Sequence, residues 1–186
     1  LARWLARFGE RDLPSDISVD ERRALFTTNI ACILLFVLTS PYALLFAAFG
    51  EWTLALLVAP LCVSYIVTVA LIRRGRTNLG RSILLPSITI SIFVFCLMLG
   101  PQSRLETAFF LAVAGPFLFF PASRPRWIFA HAPLPILAYL LLHSVAYEWV
   151  EPLDLSTSQI ELFNLFITPT TALLVLIPLF YLLRTQ

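Results

Sequence analysis

The sequence predicts an all-α, polytopic membrane protein: a bundle of six transmembrane helices with both termini in the cytoplasm. Three observations lead to this class. First, 59% of the 186 residues are hydrophobic and only 13% are charged, whereas ordinary soluble domains carry roughly 25% charged residues. Second, the apolar residues form six long runs separated by short polar turns. Third, twelve of the thirteen basic residues, which are all arginines, flank these runs on one side.

Each of the six runs approaches the roughly 20 apolar residues that a transmembrane helix needs. The first begins at a capping box, in which the Ser18 hydroxyl accepts from the Glu21 amide and the Glu21 side chain reaches back to Ser18. Gly50-Glu51 makes a tight turn after it, and the polar stretch 73–81 is predicted to be a loop. The predicted helices cover residues 19–49, 52–72, 82–99, 105–120, 127–149 and 160–184.

Residues 1–18 precede the bundle and have the pattern of a short basic amphipathic helix. Leu1, Trp4 and Phe8 fall on one helical face, and three arginines fall on another. Such a helix lies in the headgroup plane of a membrane, or else it packs against a partner domain.

The chain begins with Leu rather than Met, and its last helix ends without a glycine or proline stop. We therefore expect an output domain after residue 186.

The arginines predict the orientation of the bundle in the membrane. Cytoplasmic loops of membrane proteins carry an excess of Lys and Arg. The N-terminal segment, the 73–81 loop, the 124–126 loop and the C-terminus together hold twelve arginines and five acids, whereas the three opposite loops hold Arg104 and six acids. The arginine-rich side is therefore predicted to be cytoplasmic, and an even number of spans puts both termini there. The lipid bilayer is then the first partner of the protein.

Every predicted span contains proline, which removes a backbone hydrogen bond and frees a carbonyl group four residues earlier. In a membrane, that carbonyl must find a partner in another helix or in water. The prolines thus open an internal cavity or act as hinges, or they are simply tolerated.

The last helix carries polar residues spaced three or four apart: Glu161, Asn164, Thr168 and Thr171. Pro169 interrupts this polar stripe, and we predict a hinge there.

The sequence lacks the motifs of several enzyme and transporter classes. It contains no GxSxG, HExxH or Walker motif, so no catalytic site is expected within these residues. Every acid lies at or near a helix end, which disfavours ion-coupled transport through buried carboxylates. Cys32, Cys62 and Cys96 are far apart inside apolar runs, so neither a disulfide nor a CxxC metal site is expected. No metal, cofactor or nucleic acid is predicted as a ligand.

Two histidines raise the question of a haem. His131 and His143 lie twelve residues apart on the fifth predicted helix, which separates them by about 18 Å along its axis. A bis-His haem needs ligands from a second helix, and only a symmetric dimer would provide them. The simpler interpretation is that each histidine is a hydrogen-bonded polar residue of the bundle.

The predicted binding residues lie mostly on the fifth and sixth helices, on the side away from the arginines. No loop is long enough to form an extracellular domain, so a ligand is expected to bind within the bundle. Tyr139, His143 and Tyr147 are spaced four apart and share one face. The predicted ligand-binding residues are Tyr42, Tyr139, His143, Glu161, Asn164 and Thr168. They suit a mostly apolar ligand with one or two polar atoms, or they form hydrogen bonds between helices without a ligand.

Residues 79–121 resemble the third-to-fourth helix hairpin of a six-transmembrane sensor module. The matching features are Asn29, the 74–78 turn, Arg81 at the start of the third helix, Gly100 before a short polar turn, and the sequence Pro-Phe-Leu-Phe-Phe that ends at Phe120. This module precedes bacterial class III adenylate and guanylate cyclases and sensor histidine kinases, including quorum-sensing kinases for hydrophobic hydroxyketones. Arg104-Leu105 departs from the family, which has a smaller residue and a histidine at this place.

The resemblance implies a homodimeric receptor domain in the inner membrane of a bacterium. Its last helix would continue into a cytoplasmic signalling helix and an output domain. We expect this output domain to be a nucleotide cyclase that forms cAMP, or alternatively a histidine kinase. A small transporter and a structural membrane subunit also stay open. Transporters often carry an internal repeat, and the two halves of this chain show no convincing one.

Overall fold

The computed structural model describes the backbone of residues 17–184 and the side chains of residues 17–167, 169, 170 and 172. The helices are α1 Val19–Ala48, α2 Trp52–Arg73, α3 Thr77–Leu99, α4 Ala108–Phe119, α5 Pro125–His131, α6 Pro133–Ser144 and α7 Thr157–Arg184. Short 3-10 turns occupy Pro101–Ser103, Leu105–Thr107 and Ala146–Glu148. The described residues contain no strand, so the predicted all-α class is confirmed.

Four segments of the described chain are long and apolar enough to cross a membrane. They are α1, α2, α3 and the 20-residue stretch Pro125–Ser144, which joins α5 and α6. The stretch Leu105–Phe119 is apolar but shorter. The backbone of α7 is helical over 28 residues, but most side chains of its second half lie outside the described residues, as does the predicted amphipathic segment up to residue 16. The complete set of six spans therefore stays a prediction.

The outside of the bundle is strongly apolar. Leu56, Phe110 and Phe129 are 71%, 71% and 72% exposed, and many other large apolar side chains share this surface. Soluble monomers rarely expose contiguous apolar patches of more than a few hundred Å². Lipid tails would cover such a surface favourably, because they are as apolar as the side chains themselves.

α2 and α3 pack closely, and Gly80 permits the contact. A Cβ atom at this position would lie 3.0 Å from the Thr68 carbonyl oxygen. The Thr68 hydroxyl donates to the Gly80 carbonyl oxygen across the same contact, at 3.2 Å. Small residues commonly let membrane helices approach each other in this way. The tight α2–α3 pair forms one side of the bundle, with α1 packed against α2.

The connection between α2 and α3 is shorter than the predicted loop 73–81. α3 begins at Thr77, five residues before the predicted start. Gly75 has φ +76°, a conformation that glycine adopts without strain, so the chain reverses within three residues. The polar residues that follow belong to the first turns of α3, where Arg81 is buried rather than solvated.

The fifth predicted helix, 127–149, consists of two helices and a 3-10 turn. α5 ends at His131 and α6 begins at Pro133, because prolines at 133 and 135 have no N–H to donate to the preceding turn. α6 ends at Ser144, before the turn that contains the fully buried Ala146. The two histidines therefore lie on different helices and not on one.

Polar side chains gather at the two ends of the bundle. The arginine-rich end comprises residues 18–23, 73–81 and 120–127. The acidic end comprises residues 49–51, 100–107 and 145–157. Between them lie two apolar clusters, one around Phe46 and Phe95 towards the acidic end and one around Tyr65 and Phe119 towards the arginine-rich end. This division sets the location of each polar group described below.

Candidate functional site

A cavity of about 320 Å³ lies inside the bundle, bounded by α1, α2, α3, α4 and α7. Its volume is within the range of small-molecule sites. Its wall is mainly apolar and includes Leu35, Leu61, Ile92, Phe95, Leu111 and Phe163. None of the described lining residues is charged. Because an unpaired charge in such surroundings is costly, the cavity suits an uncharged and largely apolar molecule.

Five hydroxyl groups interrupt the apolar wall, those of Thr39, Tyr42, Tyr65, Ser91 and Thr170. The Tyr42 hydroxyl donates to Thr170 Oγ1 at 3.1 Å, and the Tyr65 hydroxyl is hydrogen-bonded to Thr39. Buried hydroxyls need such partners. Each of these bonds joins two helices, and each tyrosine is able to exchange its protein partner for a polar atom of a ligand.

The last helix, α7, closes one side of the cavity. Phe163 meets the ring of Tyr42 edge-on, with 5.7 Å between the centroids, and stacks on Phe46 at 5.8 Å. Ile167 and Thr170 complete the contribution of α7 to the wall. A molecule that fills the cavity would therefore contact α7 directly.

A second polar group, the Glu106 cluster, lies at the acidic end and outside the cavity. Its members are Glu106, Tyr139, His143 and Tyr147. Tyr139 and His143 lie one turn apart on α6, with ring centroids separated by 4.5 Å, and Tyr147 meets His143 edge-on at 5.8 Å. The Tyr147 hydroxyl donates to Glu106 Oε2 at 3.0 Å, and His143 Nε2 lies 3.9 Å from the same oxygen. The partner of His143 is thus Glu106, which the predicted site did not include.

The Glu106 cluster holds a carboxylate near a phenol in a half-buried place. Burial, together with the Glu106 carboxylate beside it, raises the pKa of Tyr147 above its ordinary value of 10.0. The phenol therefore stays protonated and continues to donate through the neutral range. The side chains of His143 and Glu106 are 39% and 26% exposed, so water reaches this pair.

The polar residues of α7 lie around the acidic end and the cavity without forming one site. Glu161 is exposed. Asn164 donates from Nδ2 to the Gln102 carbonyl oxygen at 3.3 Å, which joins α7 to a 3-10 turn. The side chain of Thr168 lies outside the described residues. Pro169 is exposed in an uninterrupted helix, and its role as a hinge stays a prediction.

The sequence predicts a pocket formed by Tyr42 and the fifth and sixth helices, whereas the described lining of the cavity includes Tyr42 and α7 but no residue of α5 or α6. α6 packs on α3 and α4, whereas α7 packs on α1 and on the turn Pro101–Ser103. The prediction placed the fifth helix beside the last helix, and in the structure the turn Pro101–Ser103 contacts α7. Of the predicted ligand-binding residues with described side chains, only Tyr42 lines the cavity. Ligand binding by the others, which are Tyr139, His143, Glu161 and Asn164, stays a prediction.

The arginine-rich end contains a buried ion pair that the sequence analysis missed. Arg81 Nη1 donates to Glu21 Oε1 at 3.0 Å, and the two side chains are 0% and 9% exposed. The predicted capping bond is present, since the Glu21 amide donates to Ser18 Oγ at 3.2 Å, but the carboxylate is directed at Arg81. A signal was available in the sequence: an acid and an arginine begin the first and third helices on the same side of the membrane.

A stack of aromatic rings lies beside the buried guanidinium group. The Arg81 Cζ atom lies 5.6 Å from the centroid of Phe120, close enough for a cation–π interaction. The Phe120 ring stacks on both Trp127 and His131. His131 also shares a hydrogen bond with Ser82 at 3.1 Å. His131 is therefore a packed and hydrogen-bonded residue of the bundle, as in the simpler of the two interpretations of the histidines.

A second arginine extends this ionic contact to the α4–α5 connection. Arg124 Nη1 donates to Asn78 Oδ1 at 2.8 Å, and its other terminal nitrogen lies 3.9 Å from Glu21 Oε2. The start of α1, the start of α3 and the segment before α5 are thereby joined. Arg81 Nε and Nη2 have no hydrogen-bond partner within the described protein, so the single bond to Glu21 is the main polar support of that guanidinium group.

The described residues offer no metal site, because no three His, Cys, Asp or Glu side chains converge. The three cysteines are unpaired thiols. The fold and the cavity define a class of protein: a helical bundle that contains four membrane-length segments and an internal cavity whose described lining residues are uncharged. Comparisons with family models, with curated proteins and with solved structures find no match for this chain.

Proposed function

We propose that this chain is the membrane-embedded receptor and anchor domain of a bacterial signalling enzyme. It binds a small hydrophobic ligand in the central cavity, or responds to the state of the membrane, and passes the signal through α7 to a cytoplasmic output domain. That domain is an adenylate cyclase in the first version of the proposal and a histidine kinase in the alternative. The observation that carries the proposal is that α7 lines the cavity, through Phe163, Ile167 and Thr170.

The contact between Tyr42 and Thr170 is the proposed point of signal transfer. A polar atom of the ligand would compete with Thr170 for the Tyr42 hydroxyl, while an apolar body would press on Phe163. A ligand shifts α7 only through the difference between its affinities for two arrangements of the helix. Pro169 precedes Thr170 and lacks the N–H of a regular helical bond, which makes it the proposed hinge.

The proposal includes a topology and an assembly. Six spans put both termini in the cytoplasm of a bacterium, with the chain embedded in the inner membrane. The separation of the arginine-rich end from the acidic end supports this orientation, because cytoplasmic loops carry the excess of arginine. A homodimer is proposed from the resemblance to cyclase and kinase sensor modules, in which two last helices would lead to paired output domains.

A small transporter and a purely structural subunit are the remaining candidates. Ion-coupled transport normally uses charged side chains within the membrane, and none of the described residues that line the cavity is charged. A structural subunit would not need an internal cavity of ligand size. The receptor proposal uses both features and is therefore preferred.

A fluorescence titration tests whether the cavity binds apolar molecules. The probe is 1-aminoanthracene, and the protein is the full chain in detergent micelles. We expect saturable binding that weakens by about tenfold or more in Ala112→Phe. Ala112 is buried and lines the cavity, so the new ring would fill part of the space that the probe needs. Ala48→Phe adds the same ring at an exposed position outside the cavity and is expected to bind as the wild type does. Equal binding by all three proteins would contradict the cavity as the site.

The output is tested in membranes that contain the full-length protein. We expect formation of cAMP from ATP, and a changed basal rate in Tyr42→Phe, which removes the bond to Thr170. Tyr147→Phe is the matched control, because it removes a hydroxyl from the Glu106 cluster and not from the cavity. Membranes with neither cyclase nor kinase activity would exclude the signalling role even if the cavity binds the probe.

A further inference from the structure

A groove separate from the central cavity lies on the outside of the bundle between α1 and α2. It encloses about 490 Å³. Its apolar walls are formed by Ile33 and Phe36 from α1 and by Ile66, Val69 and Ala70 from α2. The residues of α2 recur at helical spacing, so they form one continuous stripe along that helix. Phe36 and Ile66 are 37% and 58% exposed, and the groove therefore opens to the outside.

Two arginines stand at one end of this groove. Arg73 and Arg74 follow the apolar stripe on α2, line the groove and are both exposed. From Ile66 to Arg74 the helix rises about 12 Å. No acidic side chain is among the described lining residues. The groove thus combines an apolar body with a positively charged end.

We propose that this groove binds one anionic phospholipid of the bilayer, with an acyl chain along the α1–α2 stripe and the phosphate at Arg73 and Arg74. Both helices are long and apolar enough to cross a membrane, so the groove faces lipid over its length. Basic pockets between membrane helices commonly bind acidic headgroups. A soluble anion would use the two arginines alone and leave the apolar stripe uncovered, which is why the occupant is a lipid.

Cys32 and Tyr65 form the floor of the groove. They are 1% and 2% exposed, and Tyr65 lines the central cavity as well. Its ring therefore separates the two spaces. A lipid in the groove would contact the outer side of this wall without entering the cavity, so both sites are able to be occupied at once. The lipid site does not depend on the proposed receptor function.

Native mass spectrometry of the full chain in neutral detergent tests this proposal. Dioleoyl phosphatidylglycerol and dioleoyl phosphatidylcholine are added in separate samples. We expect one phosphatidylglycerol to be retained about tenfold or more over phosphatidylcholine, because the two arginines that line the groove favour an anionic headgroup over a zwitterionic one. Arg73→Gln with Arg74→Gln is expected to abolish this preference. Arg22→Gln with Arg126→Gln removes two exposed arginines outside the groove and is expected to keep it.

A second pair of variants tests the apolar stripe. Ala70→Phe places a ring in the groove, and retention of phosphatidylglycerol is expected to fall several-fold. Ala59→Phe adds the same ring to an exposed position of α2 outside the groove, where retention should be that of the wild type. Four results would each overturn the proposal: equal retention of the two lipids, equal loss in both arginine pairs, no effect of Ala70→Phe, or equally tight binding of glycerol 3-phosphate, which has no acyl chain.

Discussion

The two ends of the bundle contain acid–base pairs in opposite settings. At the arginine-rich end, Glu21 and Arg81 lie 3.0 Å apart and are 9% and 0% exposed. At the acidic end, Glu106 and His143 lie 3.9 Å apart and are 26% and 39% exposed. Breaking a pair that is withdrawn from solvent leaves an unpaired buried charge, whereas a pair in contact with water contributes little. The pair at the arginine-rich end is therefore the more costly of the two to break.

This difference matters because of where α7 makes its contacts. The described part of α7 meets the rest of the bundle at the acidic end and at the cavity, through contacts that include the ring of Phe163 and hydrogen bonds of Asn164 and Thr170. α1 and α3 are joined by the buried ion pair of Glu21 and Arg81. Among the contacts described above, a shift of α7 would break ring contacts and hydrogen bonds but would leave the ion pair between α1 and α3 in place.

The largest effect is expected from breaking the pair at the arginine-rich end. Arg81→Met should lower the free energy of unfolding by about 3 kcal/mol, because it leaves the buried Glu21 carboxylate with only the half-exposed Arg124, at 3.9 Å, as a cation. Unfolding of the full chain by SDS titration in mixed micelles measures this loss. The double variant Glu21→Leu with Arg81→Met removes both charges and should recover most of the stability. If the double variant is as unstable as the single one, lost packing and not a buried charge is responsible.

The next effect compares two glycines in close contacts. Gly80→Ala is expected to destabilise the protein by about 1 kcal/mol, because the new Cβ would lie 3.0 Å from a backbone oxygen that cannot move alone. Gly115→Ala should be close to neutral, although its Cβ would lie 2.8 Å from Leu85 Cδ2. The end of a leucine side chain is able to turn, and both residues border the cavity. The same SDS titration checks the order, and a larger loss at 115 would contradict it.

Much of the fold follows from the sequence because hydropathy and helix signals are local properties. The apolar runs predict the helix class, and Ser18 predicts the start of α1, whose capping bond is present. The predicted helix bounds are wrong where one or two residues decide between a loop and a helix. Gly75 turns the chain in a short space, so α3 starts early. Pro133 divides the fifth predicted helix because it cannot donate to the preceding turn.

The candidate site was less predictable because it depends on which helices become neighbours. The face shared by Tyr139, His143 and Tyr147 follows from helical spacing and is present. Their partner, Glu106, comes from a 3-10 turn whose position has no local signal. Tyr42 lines the cavity together with α7, but most of the other lining residues are apolar and resemble any membrane helix in composition. A cavity arises from imperfect packing between helices, which periodicity alone does not reveal.

A smaller effect is expected from the hydrogen bond at the acidic end. Tyr147→Phe should cost about 0.5–1 kcal/mol at neutral pH, because the bond to Glu106 is partly exposed. The pKa of Tyr147 is raised by burial and by the neighbouring carboxylate, so the folded state favours the protonated phenol. Its contribution to stability is then present below about pH 10 and is lost as the pH rises further.

SDS titrations at pH 8 and at pH 11 test both parts of this prediction. The wild type should lose more stability between these two values than Tyr147→Phe does, since only the wild type carries the phenol that must give up its proton beside Glu106. All other groups are common to the two proteins, so their contributions cancel in the comparison. Parallel losses in the two proteins would show that the phenol is not coupled to folding.

The smallest effect on stability, and the most informative for function, is expected at Glu161. Its side chain is exposed, so Glu161→Gln should change the free energy of unfolding by less than about 0.5 kcal/mol. A change in the cAMP output of membranes with the full-length protein would then report on ligand contact or on α7 and not on unfolding. His143→Ala is the companion variant, because the sequence predicts that the two residues share a pocket and neither is among the described residues that line the cavity. If output survives both substitutions unchanged while Ala112→Phe alters it, the signal arises from the central cavity without Glu161 or His143.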